Sequence, residues 1–321
     1  MRVLRSAAVL ALLVGLPCLY LTQPLLRRDV AWPPARADAA ALERDVRHLC
    51  TAFAPRDAAH PEHLARAADF LRARLAQTLG AAKLQTFEVG GVRHHNVCAV
   101  VGPAGGERVV VGAHYDAAEP GIGADDNASG VAGLLELARL LAGTELACEV
   151  ELVAFALEEP PHFRTPAMGS ALHAAELRRS GVRVRAMLCL EMIGCYRDEP
   201  GSQAYPVPLL GWLYPSRGDF VAVVGTLGQA GLVRRVKQAM ARATPLPVRS
   251  INAPAFLPGI DFSDHASYWA VGLEAVMITD TAFYRNPRYH SAADTPETLD
   301  YRRMAQVVDG VHAAVRALAG E

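Results

Sequence analysis

Short apolar runs typical of strands alternate with segments of helical periodicity along most of the chain from residue 40 onward. The apolar runs predict strands at Lys83–Val89, Asn96–Gly102, Arg108–Gly112, Glu149–Leu157, Arg185–Leu190, Phe220–Gly225 and Glu274–Ile278. The periodic segments predict helices at Ala40–Ala54, Pro61–Leu79, Ser129–Leu141, Ala167–Arg179, Leu232–Ala243 and Arg302–Leu318. Strands that alternate with helices need crossover connections, so we expect an α/β fold with a mainly parallel central sheet and helices on both faces.

The chain shows no sign of a division into several domains. Its 321 residues contain no internal repeat and no low-complexity linker. The stretch Tyr196–Arg217 is rich in Gly, Pro and aromatic residues, which is typical of an irregular insertion. We therefore expect residues 38–321 to form one domain, with residues 1–37 as a separate N-terminal segment.

The N-terminal segment carries an apolar run from Ser6 to Thr22 that is flanked by arginines on both sides. A run of about 17 residues is intermediate between a signal-peptide core and a short membrane span. Small residues suited to cleavage, Ala35-Arg36-Ala37, follow only well downstream. An uncleaved membrane anchor is therefore favoured over a cleaved signal, and we expect the protein to be membrane-anchored or exported, with its main domain outside the cytoplasm.

The composition argues against two kinds of site. Lys+Arg (32) and Asp+Glu (33) nearly cancel and no basic cluster is present, so we expect no nucleic-acid partner. The six cysteines are scattered without a CxxC pair, which favours small buried residues over metal ligands. A disulfide between Cys189 and Cys195 stays open as an alternative.

Acidic and imidazole side chains recur where the predicted strands end. In such sheets, ligands bind beyond the carboxyl ends of the strands. So much negative charge at one edge is costly unless cations neutralise it, and mixed His/Asp/Glu sites suit zinc, and less exclusively manganese or cobalt. The residues in question are His114 and Asp116, Asp125-Asp126, Glu158-Glu159, Glu191, and Tyr289-His290.

Six segments resemble, in order and spacing, the M28 family of zinc peptidases, which includes bacterial aminopeptidases and the related glutaminyl cyclases. The similarity extends over nearly everything from about residue 40 onward, and the ordered set is specific although each piece is short. The segments are VVVGAHYDA, GADDNASGVAGLLELARLL, LVAFALEE, MGS, LEMIG and YHSAADTPETLD.

The resemblance implies a role for each matching residue and two bound zinc ions. It makes Asp126, and not Asp125, the carboxylate that bridges the two zinc ions, often followed by a cis peptide. Asp116 would orient the imidazole of His114. The remaining implied roles are His114 and Glu191 on the first zinc, Glu159 and His290 on the second, Glu158 as general base, and Tyr289 as hydrogen-bond donor to the oxyanion.

The chain departs from the family pattern at two places. Glu191 stands where the aminopeptidases commonly have aspartate, so this ligand is one methylene longer. Pro160-Pro161 stiffen the turn after Glu158-Glu159, and Phe163 and Arg164 beyond them either shape a substrate pocket or belong to a rigid surface loop. Ser263 is favoured as the cap of the helix that follows and Asp264 as an acidic residue in its first turn, rather than as catalytic groups, and His265 is a candidate for the pocket wall.

The resemblance implies zinc-dependent hydrolysis of a peptide or an aminoacyl amide, with removal of N-terminal residues. A glutaminyl cyclase with one zinc is an alternative, but the pattern His114-Tyr115-Asp116 favours two metal ions and hydrolysis. A non-catalytic binding ectodomain is a further alternative. Such proteins usually lose ligands, whereas every expected position here carries a side chain that can bind metal.

Overall fold

The computed structural model describes residues 15–25 and 31–320. Residues 15–22 form a short helix. Among the described residues, no helix has both the length and the apolar character needed to cross a membrane. Residues 6–14 of the predicted anchor or signal lie outside the described residues, so anchoring stays a prediction.

One mixed sheet runs through the molecule in the strand order β1-β2-β4-β3-β5-β8-β6-β7. The four central strands β4, β3, β5 and β8 are parallel to one another. At one edge, β2 pairs antiparallel with both β4 and β1, and on the other side β6 pairs antiparallel with β8. Strand β7 pairs parallel with β6 at the other edge. The strands are β1 Lys83–Val89, β2 Val92–Val101, β3 Glu107–His114, β4 Glu149–Phe155, β5 Arg183–Glu191, β6 Val221–Gly225, β7 Val248–Asn252 and β8 Ala275–Thr279.

Helices cover both faces of this sheet, as predicted. The larger core contains buried residues of α1, α2, α3, α5 and α7, and the smaller core on the opposite face contains those of α4 and α6. Alternation along β3 divides the strand between the cores, because Val109 and Val111 enter the larger one and Val110 the smaller one. The helices are α1 Ala39–Ala52, α2 Pro61–Leu79, α3 Gly130–Leu141, α4 Gly169–Ser180, α5 Ala230–Ala243, α6 His265–Ala270 and α7 Tyr301–Ala319.

The predicted fold class is confirmed, and two short elements escaped prediction. Strand β7 has the sequence VRSIN, in which polar residues interrupt the apolar pattern. Helix α6 has six residues, which is too short to establish helical periodicity. The disulfide alternative is not realised, because Cys189 and Cys195 are both free and buried.

A buried arginine holds the loop that follows β3. Arg56 is 1% exposed, and its guanidinium donates hydrogen bonds of 2.9–3.0 Å to four backbone carbonyls. Three of these carbonyls lie in the connection between β3 and α3, which leads to Asp126. The acceptors belong to Leu49, Tyr115, Ile122 and Gly123.

We predict that Arg56→Leu lowers the free energy of unfolding by about 3–5 kcal/mol, because it leaves buried carbonyl groups without donors. Denaturant titration of the full chain measures this loss. Arg44→Leu, which removes an exposed arginine of α1, serves as the matched control and should change stability by less than about 0.5 kcal/mol. Equal stability of the two variants would contradict the role given to Arg56.

Candidate metal centre

Three parallel strands end at one edge of the sheet and deliver acidic or imidazole side chains there. His114 is the last residue of β3 and fully buried, and Glu191 is the last residue of β5. Glu158 and Glu159 follow closely after the end of β4 and are also buried. Because parallel strands have their carboxyl ends at the same edge, residues far apart in sequence meet at this point.

Asp126 lies between two histidines and faces one with each of its carboxylate oxygens. Its Oδ1 is 3.3 Å from His114 Nε2, and its Oδ2 is 3.2 Å from His290 Nε2. The Oε2 atom of Glu191 lies 3.4 Å from the same His114 nitrogen, and Oε2 of Glu159 lies 3.3 Å from that of His290. Two clusters of one histidine and two carboxylates therefore share a single carboxylate.

The polar atoms of this cluster fit a bound metal ion. Within the described part of the chain, both ring nitrogens of His114, Nε2 of His290 and Oε1 of Glu159 are buried without a hydrogen-bond partner. The possible ligand atoms of His114, Asp126 and Glu191 lie within 4.8 Å of one another. Imidazole nitrogens with carboxylate oxygens, and no thiolate among them, form a donor set that suits zinc.

The proximity of these charges raises the pKa of Glu159 and of both histidines, whereas the two histidines lower that of Asp126 between them. Burial, with the charge of Asp126, raises the pKa of Glu159 to about 7. Burial would lower the pKa of His290, but the carboxylates of Asp126 and Glu159 beside its Nε2 raise it to about 10. Burial also opposes protonation of His114, yet Glu191 and Glu158 raise its pKa well above the ordinary value. Unbalanced negative charge thus dominates the cluster, which favours a cation.

Asp116 orients two parts of the site at once. Its Oδ1 lies 3.4 Å from His114 Nδ1, as expected for a carboxylate that positions the imidazole. The same carboxylate accepts hydrogen bonds from the backbone N–H groups of Glu158 at 3.2 Å and Glu159 at 3.0 Å. Asp116 therefore fixes the turn after β4 as well as the histidine.

Asp294, four residues after His290, holds the backbone around Asp126. Its carboxylate accepts hydrogen bonds from the N–H groups of Asp125 and Asp126 at 2.9–3.1 Å. It therefore joins the His290 loop to the Asp126 loop. Asp125 turns away from the cluster and accepts a hydrogen bond from Gly194 N at 2.9 Å. The peptide between Asp126 and Asn127 is cis, as the resemblance implied.

The prediction that Ser263 caps a helix with Asp264 in its first turn is wrong. Helix α6 begins at His265, and neither side chain makes a capping hydrogen bond. The Ser263 hydroxyl instead donates to Oε2 of Glu191 at 2.6 Å, which fixes the longer ligand. Asp264 is fully buried, and burial raises its pKa to about 7. His265 is buried against Trp269, at 4.5 Å between ring centroids.

A cavity opens beside the cluster of histidines and carboxylates. Glu191 and Tyr289 belong to its lining, and the Tyr289 ring stacks on His290 at 3.8 Å between centroids. The insertion Tyr196–Arg217 supplies one wall, and the sheet supplies another. Most of the other side chains in the lining are apolar or aromatic, among them Tyr205, Leu210, Tyr214, Phe220, Ala222, Val224, Ile251, Ile260, Phe262 and Met277.

The proline-rich turn after β4 contacts the rim of this cavity. The Arg164 guanidinium lies 4.6 Å from the ring centre of Phe262, which lines the cavity, and forms an ion pair with Asp261. Phe163 packs on the same ring at 5.9 Å between centroids. Phe163 and Arg164 thus contact the cavity lining through Phe262 and are not part of the lining themselves.

Known proteins resemble this chain in both sequence and fold. The model of peptidase family M28 matches residues 96–315. YfbL of Escherichia coli K12, described as an uncharacterized protein, is 47% identical over 304 residues, which cover 92% of this chain and 93% of YfbL.

Two solved structures share the fold at low sequence identity. BSAP, a zinc aminopeptidase from Bacillus subtilis, has a TM-score of 0.70 at 16% identity, over 88% of this chain and 95% of BSAP. A glutaminyl cyclase from Fimbriiglobus ruber has a TM-score of 0.68 at 19% identity, over 91% of this chain and 99% of the cyclase.

The family match includes the ends of β3, β4 and β5 and both histidines of the cluster. The donor set suits the zinc that the name of BSAP records for that enzyme. From the family match and the fold together, the chain belongs to peptidase family M28.

Proposed function

We propose that this protein is a two-zinc aminopeptidase that removes N-terminal residues bearing large apolar side chains. The observation that carries the proposal is the position of Asp126, whose two carboxylate oxygens face different histidines at 3.3 Å and 3.2 Å. A carboxylate in this position can bridge two cations. His114 and Glu191 would complete the first site, and Glu159 and His290 the second.

Each side chain around the cluster has a task in this reaction. Zinc, when bound, makes water a better nucleophile at neutral pH and polarises a carbonyl group. Glu158 Oε2 lies 3.9 Å from His114 Nε2, so it borders the cluster from the end of β4. We assign Glu158 to take the proton from the attacking water and to deliver it to the leaving amine. Tyr289 would donate a hydrogen bond to the oxyanion.

The acidic cluster and the neighbouring cavity would select the substrate together. A free N-terminal ammonium group is attracted to the carboxylates of Glu158, Glu159 and Glu191. The adjoining cavity accepts an apolar or aromatic side chain, because hydrophobic residues dominate its walls. The geometry favours hydrolysis over glutaminyl cyclisation, since His114 and Glu191 form a cluster separate from that of Glu159 and His290.

We predict that the purified protein binds two zinc ions per chain and that Asp126→Ala loses both. Glu191→Ala and Glu159→Ala should each lose one, because each removes a ligand from a different site. Elemental analysis after dialysis against a weak chelator measures the stoichiometry. Glu145→Ala, at an exposed position, is the control and should retain both ions. One ion in the unaltered protein would refute the two-zinc assignment.

We predict that Glu158→Gln lowers kcat on aminoacyl amides by about 10²–10⁴-fold, because the amide cannot accept a proton from water. Its zinc content should equal that of the unaltered protein. The assay includes N-terminally blocked amides, which should not be cleaved, and a glutaminyl peptide to detect cyclisation. Turnover near the normal rate in this variant, with both ions bound, would remove Glu158 from the mechanism.

We predict that Ala222→Leu lowers kcat/KM for leucyl and phenylalanyl amides by roughly 10-fold or more, because added bulk fills the pocket. Ala222 lies on β6 and lines the cavity. An alanyl amide leaves most of the cavity empty and serves as the internal control, with an unchanged kcat/KM. Equal losses on all three substrates would show that the cavity does not receive the side chain.

A further inference from the structure

The N-terminal segment over residues 15–25 docks against the β7 edge of the sheet through a set of polar contacts. Lys237 of α5 is 4% exposed, and its ammonium donates to the carbonyls of Thr22 at 2.8 Å and Gln23 at 3.0 Å. Asn252 of β7 donates to the carbonyl of Tyr20 at 3.1 Å. The Gln23 side chain donates in return to the carbonyl of Ala230 at 2.8 Å. These contacts bind carbonyl groups at and just beyond the end of the short helix, which otherwise lack partners.

Lys237 indicates that the segment is an integral part of the folded domain. Burial lowers the pKa of this lysine to about 8, and two of its three hydrogen-bond acceptors belong to the segment. The third acceptor is the hydroxyl of Ser250 on β7. Without the segment, a buried cation would lose most of its partners, which is costly.

Ser250 also joins this segment to the insertion Tyr196–Arg217. Its hydroxyl donates to the carbonyl of Thr22 at 3.0 Å, and its own carbonyl accepts from the Tyr214 hydroxyl at 2.7 Å. The segment and the 3₁₀ turn Pro208–Trp212 that precedes Tyr214 are therefore neighbours on the same edge.

Both neighbouring elements present large apolar side chains to the outside. On the segment, Leu16 is 59%, Leu19 54% and Tyr20 46% exposed. On the insertion, Leu209 is 59% and Trp212 85% exposed. Clustered exposed apolar residues mark interaction surfaces, and Trp and Tyr are enriched where proteins meet the membrane interface.

The chain that leads into this surface identifies its partner. Residues 6–14 immediately before the segment have the apolar sequence SAAVLALLV, and Arg2 and Arg5 precede them. A sequence of this kind partitions into lipid, and the docked segment follows it directly in the chain. We propose that the face formed by residues 15–25 and Pro208–Trp212, here called the lipid face, rests on a lipid bilayer. This would place the substrate cavity, whose wall includes Leu210 and Tyr214, beside the membrane.

The tryptophan fluorescence of the 321-residue chain, reconstituted in lipid vesicles, tests this proposal independently of catalytic activity. The chain has three tryptophans, at positions 32, 212 and 269. Trp32→Phe with Trp269→Phe leaves Trp212 as the reporter. The variant is reconstituted in phosphatidylcholine–phosphatidylglycerol vesicles, with or without lipid brominated on its acyl chains. We expect the brominated lipid to remove most of the Trp212 emission relative to vesicles without bromine.

A matched reporter controls for simple attachment of the chain to the vesicle. Trp32 is 49% exposed and donates to the carbonyl of Ala241, which lies about 16 Å along α5 from Ala230 at the segment's contact. In Trp212→Phe with Trp269→Phe, we expect little quenching of Trp32. Equal quenching of both reporters, or none of Trp212, would overturn the proposal. If Trp212 is not quenched and the lipid faces of two chains can be cross-linked to each other, the face binds a second copy of the chain instead.

Discussion

The central constraint on this structure is the burial of several carboxylates around two imidazoles at one edge of a sheet. Asp126, Glu158, Glu159 and Glu191 are all at most 6% exposed. Like charges held this close are unfavourable in a protein interior unless cations and hydrogen bonds offset them. The Ser263 hydroxyl donates a hydrogen bond to one of these carboxylates, Glu191, whereas both ring nitrogens of His114 are buried without a hydrogen-bond partner. This arrangement of charges favours the binding of a cation.

The surrounding residues form a scaffold that fixes the proposed metal ligands in place. Asp116 joins His114 to the turn after β4, Asp294 joins the His290 loop to the Asp126 loop, and Ser263 fixes Glu191. Each contact links segments that are distant in the sequence. Because ligand positions must be held within a few tenths of an ångström for metal binding, such cross-links matter as much as the ligands themselves.

The strand ends could be predicted from the sequence because apolar runs locate β3, β4 and β5, and a parallel sheet brings their carboxyl ends together. The fold class followed from the same pattern. The roles of Ser263 and Asp294 could not be predicted in the same way, because both depend on partners that approach only in the folded chain. Strand β7 was missed since its polar residues, Ser250 and Asn252, face the N-terminal segment and interrupt the apolar pattern.

The same edge of the sheet explains why an insertion of irregular sequence can be functionally important. An exposed edge strand needs protection, and here side chains of β7 bind the carbonyls of the N-terminal segment without extending the sheet. The adjoining turn Pro208–Trp212 has two environments: Leu210 is 5% exposed and lines the cavity, whereas Trp212 is 85% exposed. If the lipid face rests on a bilayer as proposed, the contact at Trp212 lies two residues from Leu210 in the wall of the cavity.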